Sequence, residues 1–266
     1  MKQTILITGA SSGFGLILAT KLHESGYNVI GTSRNPNHSK VPFKMLPLDI
    51  ADDSSIKAFR NELFKYISQI DVLINNAGFY LSGLVEETSI EEGKKQFETN
   101  FWGTVKLTKE LLPDFRKQRF GKIITVGSIM GLLNFPSAAY YGASKHALEG
   151  FFKSLRFELN EFNIKVTMVE PMGFKTNIIN NAVKAGIKID DYNQYRSKLE
   201  KFAEDLFGNA PEPTPVIDTL VKLIETKNPK FSHPVGKGAS VILAIQHFAY
   251  QLLEKSIIKN INRFQV

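Results

Sequence analysis

The sequence contains no cysteine, and this absence excludes several kinds of chemistry. Without thiols the chain forms no disulfide, has no thiolate nucleophile and cannot bind a metal through cysteine. Histidines are few, and none is spaced as H-x-x-x-H or H-E-x-x-H, the patterns typical of zinc sites. The histidines are His23, His38, His146, His233 and His247. We therefore predict that the protein has no metal site.

Long apolar runs are also absent. No stretch approaches the ~20 apolar residues that cross a bilayer, and the start at Met1 lacks the regions of a signal peptide. The formal charge is +7 at pH 7, but the lysines and arginines are dispersed and form no basic block. This distribution does not favour a nucleic-acid partner, although it favours anionic small molecules. We expect a cytoplasmic protein.

Short β-branched apolar runs alternate with helical patterns along much of the chain. Strands are predicted at 3–8, 28–33, 43–48, 71–74, 122–126 and 164–170. Near-continuous apolar strands separated by helices predict an α/β fold, a doubly wound parallel sheet with helices on both faces. No linker divides the 266 residues, so we predict a single domain over 1–266 with a helical extension at its C-terminus.

A glycine-rich turn follows the first predicted strand and precedes a helix. The free amides and positive dipole end of such a helix attract phosphate, and glycine lets the backbone approach it closely. The glycines do not follow G-x-G-x-x-G, but their place in a strand–turn–helix–strand unit favours a dinucleotide site. The turn residues that we predict to bind the cofactor are Gly9, Ser11, Ser12, Gly13, Phe14 and Gly15.

Four residues of potential function fall where later predicted strands end. They are Asp49, Asn75, Ser128 and Pro171. The carboxyl ends of parallel strands lie at one edge of a sheet, and ligands bind beyond that edge. We therefore predict that these residues border the binding site.

Tyr141 and Lys145 are four residues apart in a predicted helix and share one face of it. A free tyrosine has a pKa of about 10, and a neighbouring ammonium group favours its phenolate form. Such a pair is suited to general acid–base chemistry. Tyr140, five residues from Lys145, lies on a different face. We therefore predict that Tyr141 is the proton donor or acceptor.

In this order and at these distances, the motifs resemble the short-chain dehydrogenase/reductase family over about residues 3–176. The turn beginning at Thr8 is similar to that family's cofactor turn, and Asn75-Asn76-Ala77-Gly78 to its strand-stabilising N-N-A-G. Four residues match its catalytic tetrad, namely Asn100, Ser128, Tyr141 and Lys145. The segments 169–176 and 234–237 look most like the branch of retinol and hydroxysteroid dehydrogenases. The resemblance implies a single-domain Rossmann fold and an NAD(P)-dependent oxidoreductase.

The resemblance also implies a role for each of these residues. Ser128 would orient the substrate oxygen, Tyr141 would exchange a proton with it, and Lys145 would lower the pKa of Tyr141 and bind the nicotinamide ribose. Asn100 would position a water leading outward from Lys145. The further cofactor contacts that it implies are Asp49, Ile50, Asn76, Ala77, Gly78, Pro171 and Thr176. Met172 stands where the family usually has glycine after the proline, which predicts a differently shaped nicotinamide loop.

The segment after the second predicted strand indicates which cofactor binds. NAD enzymes of this kind usually carry an acidic residue there, which accepts a hydrogen bond from the ribose 2′-hydroxyl. Residues 31–35 contain no acid, and Arg34 has the guanidinium that suits a 2′-phosphate. We therefore predict NADP(H) rather than NAD(H).

The C-terminal third contains two further features. Residues 177–210 are polar and lysine-rich, and the family keeps a mobile substrate lid at this place. Residues 239–258 predict a helix that is apolar around much of its surface. That helix could cover the substrate pocket, pack on another subunit or touch a membrane surface.

These observations predict an NADP(H)-dependent oxidoreductase that interconverts an alcohol and its ketone or aldehyde, with an apolar small-molecule substrate. We also expect a homo-oligomer, either a dimer or a tetramer. The alternative is a non-catalytic NADP(H)-binding regulator on the same fold, which has no need of the intact tetrad. A sugar-nucleotide epimerase or dehydratase would need a larger second domain than the C-terminal segment supplies.

Overall fold

The computed structural model of the protein describes residues 3–36, 40–176, 178 and 181–264, with Phe207 described by its backbone alone. Its strands are β1 (Thr4–Ile7), β2 (Asn28–Ser33), β3 (Lys44–Pro47), β4 (Val72–Asn75), β5 (Leu81–Ser82), β6 (Gly121–Val126), β7 (Ile164–Pro171), β8 (Val183–Lys184) and β9 (Ser232–Val235). Its α-helices are α1 (Gly13–Glu24), α2 (Asp53–Leu63), α3 (Ile90–Phe97), α4 (Thr104–Gln118), α5 (Ala139–Leu159), α6 (Asn193–Phe207), α7 (Thr214–Glu225), α8 (Ala239–Phe248) and α9 (Tyr250–Asn262).

The main sheet has the strand order β3-β2-β1-β4-β6-β7-β9, and all its neighbouring strands are parallel. Strands β2 and β3 are added on one side of β1. Strands β4, β6, β7 and β9 are then added on its other side. The strand order therefore reverses between β1 and β4, and ligands of such sheets bind at this switch point. The predicted doubly wound parallel sheet is confirmed.

Apolar side chains cover both faces of the sheet because residues of a strand point alternately to opposite sides. One core lies between the sheet and α2, α4 and α5, and includes Leu6, Leu73, Phe115, Ile123 and Phe152. The other lies between the sheet and α1 and α7, and includes Ile5, Ile7, Leu22, Ile124 and Leu220. The two cores hold the carboxyl edge of the sheet in a fixed shape.

Two predicted helices are interrupted. A helical pattern over 91–118 predicts one long helix, but α3 and α4 are separated by a π-helical turn at Glu98–Gly103, while Pro113 lies inside α4. The predicted helix 239–258 is wrong as a single element, since it consists of α8 and α9. Ala249 between them has a φ of −146° and ends α8. The break at Ala249 has no proline or glycine that would signal it, whereas the π-helical turn ends at Gly103.

Within the part of the chain that the structure describes, no helix has both the length and the apolar character needed to span a bilayer.

Candidate active site

Ser128, Tyr141 and Lys145 converge beyond the carboxyl end of β6. Tyr141, in the first turn of α5, is only 7% exposed, and its ring packs edge-on against Tyr80 at 4.9 Å between centroids. Ser128 follows β6 and is hydrogen-bonded to Tyr141. The Nζ atom of Lys145 lies 5.8 Å from the centroid of the Tyr141 ring. The structure therefore brings together three of the residues predicted to act in catalysis.

Lys145 is buried beside Tyr141 with its ammonium group tied to the backbone. Its Nζ donates to the carbonyl oxygen of Val126, the last residue of β6, at 2.9 Å. Burial lowers the pKa of Lys145 to about 8, and the field of Glu149 acts in the opposite direction. Lys145 is thus held in place by β6, and a modest change in its surroundings alters its charge.

The pKa of Tyr141 is shifted in the direction opposite to the expected one. Burial raises it to about 12, while the hydrogen bond from Ser128 acts in the lowering direction. Here desolvation outweighs any favourable effect of Lys145, because a phenolate loses more solvation on burial than a phenol does. Tyr141 therefore keeps its proton at neutral pH and is a donor in this state.

Asn100 lies in the π-helical turn, an irregularity that is often found at functional sites. Its side-chain Oδ1 accepts from the amide of Phe79 at 3.0 Å, and its Nδ2 donates to the carbonyl oxygen of Phe79 at 3.0 Å and to Ser144 Oγ at 3.4 Å. Asn100 thus joins the segment after β4 to α5. Its predicted role in positioning a water stays a prediction.

The glycine-rich turn after β1 leaves room for a phosphate. Gly9 has a φ of +67°, and a Cβ there would lie 2.9 Å from the Cα of Ala77. Gly13 also has a positive φ, +54°, but a Cβ there would meet no atom within 4 Å. Ser12 caps α1 without a side-chain hydrogen bond to it, and no acidic residue lies in the first turn. An open turn with exposed Ser11 and Ser12 at a helix N-terminus fits an anionic pyrophosphate.

A hydrogen-bonded clamp joins β1 to β4 at the switch point. The hydroxyl oxygen of Thr8 accepts from the amides of Asn76 and Ala77 at 2.9 and 3.0 Å. In return, Nδ2 of Asn76 donates to the carbonyl oxygens of Thr8 and Gly9 at 2.9 and 3.1 Å. Sequence reasoning assigned no role to the Thr8 hydroxyl, although Thr8 opens the turn motif. A Cβ at Gly78, the last residue of this segment, would lie 3.0 Å from Asn100 Oδ1, so Asn100 would have to shift to accept a side chain there.

The predicted adenosine side lies at the carboxyl ends of β2 and β3. Asp49 is half-buried, and its Oδ1 accepts from the amide of Ala51 at 2.9 Å. The next residue, Ile50, is buried. Arg34 follows β2 with an exposed side chain, and the adjacent Ser33 Oγ is buried without a partner among the described residues. A buried hydroxyl without a partner beside an arginine fits a ribose or phosphate oxygen.

Met172 is accommodated by a glycine on the neighbouring strand end. Strand β7 runs to Pro171, and the Met172 amide donates to the carbonyl oxygen of Val235 at 2.9 Å. A Cβ at Gly236 would lie 2.9 Å from the Cβ of Met172. Met172 therefore extends the pairing of β7 with β9. Thr176 is half-buried, and its contact with the cofactor stays a prediction.

An apolar cluster surrounds Tyr141 and forms one wall of the site. Its buried members are Ile129, Met130, Leu133, Ala138, Tyr141 and Ala239, and half-buried Tyr80, Phe135, Met172, Ile242 and Leu243 pack against them. Helix α8 thus places one face over the site. This supports the prediction that the C-terminal helix covers the substrate pocket. Sequence reasoning missed Tyr80, Leu133 and Phe135, because no motif marks them.

The chain matches the family described as short chain dehydrogenase over residues 3–186. It belongs to the short-chain dehydrogenase/reductase family. It is 38% identical over 244 residues to a 3-ketodihydrosphingosine reductase of Bacteroides thetaiotaomicron, a match that covers 91% of each chain. It is 32% identical to retinol dehydrogenase 8 of Bos taurus, covering 92% of this chain and 85% of that protein.

Solved structures of the family share the fold. A short-chain dehydrogenase from Streptomyces avermitilis superposes with a TM-score of 0.83 and 28% identity, covering 99% of this chain and 98% of that one. ElxO with NADP bound superposes with a TM-score of 0.74 and 26% identity, covering 91% and 100%. The prediction of the family from the turn, the N-N-A-G segment and the tetrad is confirmed.

The described part of the predicted lid is docked on α3 and on the segment that precedes it. Strand β8 pairs in parallel with β5. Buried Glu87 accepts from the amide of Ile189 at 2.8 Å and forms an ion pair with Arg196, while Glu92 accepts from the Gly186 amide at 2.9 Å. Residues 177, 179 and 180 of this segment lie outside the described residues. Its mobility as a lid stays a prediction.

Proposed function

We propose that this short-chain dehydrogenase is an NADP(H)-dependent oxidoreductase that interconverts an alcohol and its ketone or aldehyde. The observation that carries the proposal is the hydrogen bond between Ser128 and Tyr141, in an apolar site with Lys145 close to the Tyr141 ring. Two hydroxyl groups, those of Ser128 and Tyr141, can hydrogen-bond a carbonyl oxygen, and Tyr141 can donate a proton to it with the Lys145 ammonium group nearby.

NADP(H) supplies the hydride when it is bound. Tyr141 holds its proton on Oη at neutral pH, because burial raises its pKa, and donates that proton to the substrate oxygen in the reducing direction. The Ser128 hydroxyl orients the same oxygen and stabilises the charge that develops on it. The Lys145 ammonium stabilises the phenolate that Tyr141 becomes after giving up its proton. The apolar cluster excludes water from these groups.

We assign cofactor binding to the carboxyl edge of the sheet. The open turn at Gly13 and the N-terminus of α1 would bind the pyrophosphate, and Arg34 the 2′-phosphate. Asp49 and Ile50 would contact the adenine, and Lys145 the nicotinamide ribose. ElxO, whose structure contains NADP, is a precedent for this choice at 26% identity.

The substrate that we propose is largely apolar, because its site is walled by aliphatic and aromatic side chains of the cluster around Tyr141. The names of two relatives agree with this chemistry, since one is a reductase of a keto compound and the other a dehydrogenase of an alcohol. A turnover screen of the purified protein with NADPH over ketones and aldehydes of graded size tests the proposal. Binding of NADPH without turnover of any compound would instead support the alternative, a non-catalytic NADP(H)-binding regulator.

Tyr141→Phe tests the proton donor directly. We expect turnover to fall by about 10²–10⁴-fold, because only the proton transfer is lost, while NADPH affinity changes by no more than a few-fold. Tyr140→Phe is the matched control, since the Tyr140 ring packs against Gly93 of α3, away from Lys145. An inactive Tyr140 variant with an active Tyr141 variant would overturn the assignment.

A further inference from the structure

Two buried glutamates lie behind the site and have no role in the mechanism above. Glu149 is on α5, one helical turn after Lys145, and is 6% exposed. Glu170 is the residue before Pro171 on β7 and is fully buried. Carboxylates are rarely buried unless they are paired or hydrogen-bonded, so two adjacent ones require an explanation.

The two side chains are hydrogen-bonded to each other, which requires a proton between them. The Oε1 atoms of both have no other donor within the described part of the chain, and a shared proton supplies one. Glu170 Oε2 accepts from the amide of His233 at 2.7 Å, which stabilises a negative charge on the pair. Burial raises the pKa of each carboxyl group. The pair therefore holds one proton and one negative charge near neutral pH.

The pair lies directly behind the segment that carries Ser128. A Cβ at Gly127 would be 3.2 Å from Glu149 Oε1, and a Cβ at Gly131 would be 3.3 Å from Glu149 Cγ. Both glycines thus make room for the Glu149 side chain on either side of Ser128. A Cβ at Gly131 would also lie 3.1 Å from the carbonyl oxygen of Lys145, so the segment after Ser128 packs directly against α5 at Lys145 and Glu149.

Lys145 needs a counter-charge, and its direct contacts do not supply one. Its Nζ donates to a neutral carbonyl oxygen, and the ion pairs found among the described residues do not include it. A buried ammonium without a compensating charge loses its proton readily. Glu149 lies four residues after Lys145 on the same face of α5, so the negative charge that it shares with Glu170 acts on Lys145.

We propose that the hydrogen-bonded pair Glu149–Glu170 is the counter-ion of Lys145 and a positioning pair for it. It keeps Lys145 protonated in the buried site and links α5 to the end of β7, from which the nicotinamide-side loop departs. The groups that face the pair are Lys145 and Lys153 on α5 and Ser232 and the His233 amide on β9. The counter-ion role does not depend on the proposed function. Among the tests below, only the activity measurement rests on the proposed function.

The direct test titrates Lys145 by NMR, using side-chain-labelled lysine and the Lys145→Met spectrum for assignment, in protein without NADPH. The double variant Glu149→Gln, Glu170→Gln keeps an amide hydrogen bond but removes the negative charge. We expect the Lys145 midpoint to move to lower pH by one unit or more, a tenfold loss of proton affinity. Glu158→Gln, an exposed residue on the same helix, is the control and leaves the midpoint unchanged. An unchanged midpoint in the folded double variant overturns the proposal.

A reciprocal measurement covers the case in which the double variant does not fold. Coupling is mutual, so Lys145→Met must raise the apparent pKa values of the glutamate pair, as read from carboxyl carbon shifts. Unchanged glutamate titrations would overturn the proposal by this route. In the active enzyme, the alkaline limb of the pH–turnover profile moves to lower pH in the double variant. A protein without any turnover refutes the proposed function, whereas the NMR titrations still decide the counter-ion.

Discussion

The hydroxyl of Thr8 accepts two backbone hydrogen bonds at the point where the strand order reverses, so its removal tests how the site is held. Thr8→Val keeps the shape of the side chain but leaves the amides of Asn76 and Ala77 without their acceptor. A buried donor without a partner costs about 1–3 kcal/mol. Both residues are half-buried, so water replaces part of the loss, and we expect the two amides together to cost about 2–3 kcal/mol.

The matched control is Thr8→Ser, which keeps the acceptor oxygen and removes one methyl group. Loss of a buried methyl group costs about 1 kcal/mol, so the serine variant should be clearly more stable than the valine variant. Urea unfolding at constant pH measures the free energy of unfolding of all three proteins. NADPH titration should show weaker binding in the valine variant, because the clamp holds Gly9 and the turn. Equal destabilisation by valine and serine would show that the two hydrogen bonds contribute little, and would refute the reasoning.

Three further predictions follow from the contacts of charged residues. We expect the wild type to bind NADPH roughly 10- to 100-fold more tightly than NADH, since a hydrogen bond to a charged group contributes about 1.5–3 kcal/mol. Arg34→Asp should reverse this preference. A wild type that binds NADH as tightly as NADPH contradicts the prediction. Burial raises the pKa of Glu149 to about 8 from 4.5, so the free energy of unfolding should fall as the pH rises between these values, and Glu149→Gln should flatten the fall in pH-dependent urea unfolding. Glu87→Gln should weaken the ion pair with Arg196 and speed proteolysis within 177–210. The control is Glu91→Gln, whose ion pair with Lys94 lies within α3, and equal proteolysis rates for the two variants would contradict the prediction.

Much of the candidate site could be predicted from local patterns. Tyr141 and Lys145 share a helix, so their proximity follows from the 3.6-residue repeat, and the alternative Tyr140 is excluded by the same geometry. Ser128 was predicted from a different rule, since the ends of parallel strands lie at one edge of the sheet. The open turn at Gly13 also follows from chain order, because a glycine-rich turn joins a strand to a helix there. These patterns depend on neighbours in sequence, which is why the sequence alone determined the fold class and the family.

Only the tertiary structure decided how these groups are surrounded. The sequence predicted that Lys145 lowers the pKa of Tyr141, but desolvation by Tyr80 and the apolar cluster raises it, and no local pattern reports how deeply a phenol is buried. The pairing of Glu149 with Glu170 joins a helix to a strand, and no local sequence pattern predicts it. The break at Ala249 has no glycine or proline to announce it. Burial, and contact between segments distant in the chain, arise only when helices and strands pack, and they set the charges on which the site depends.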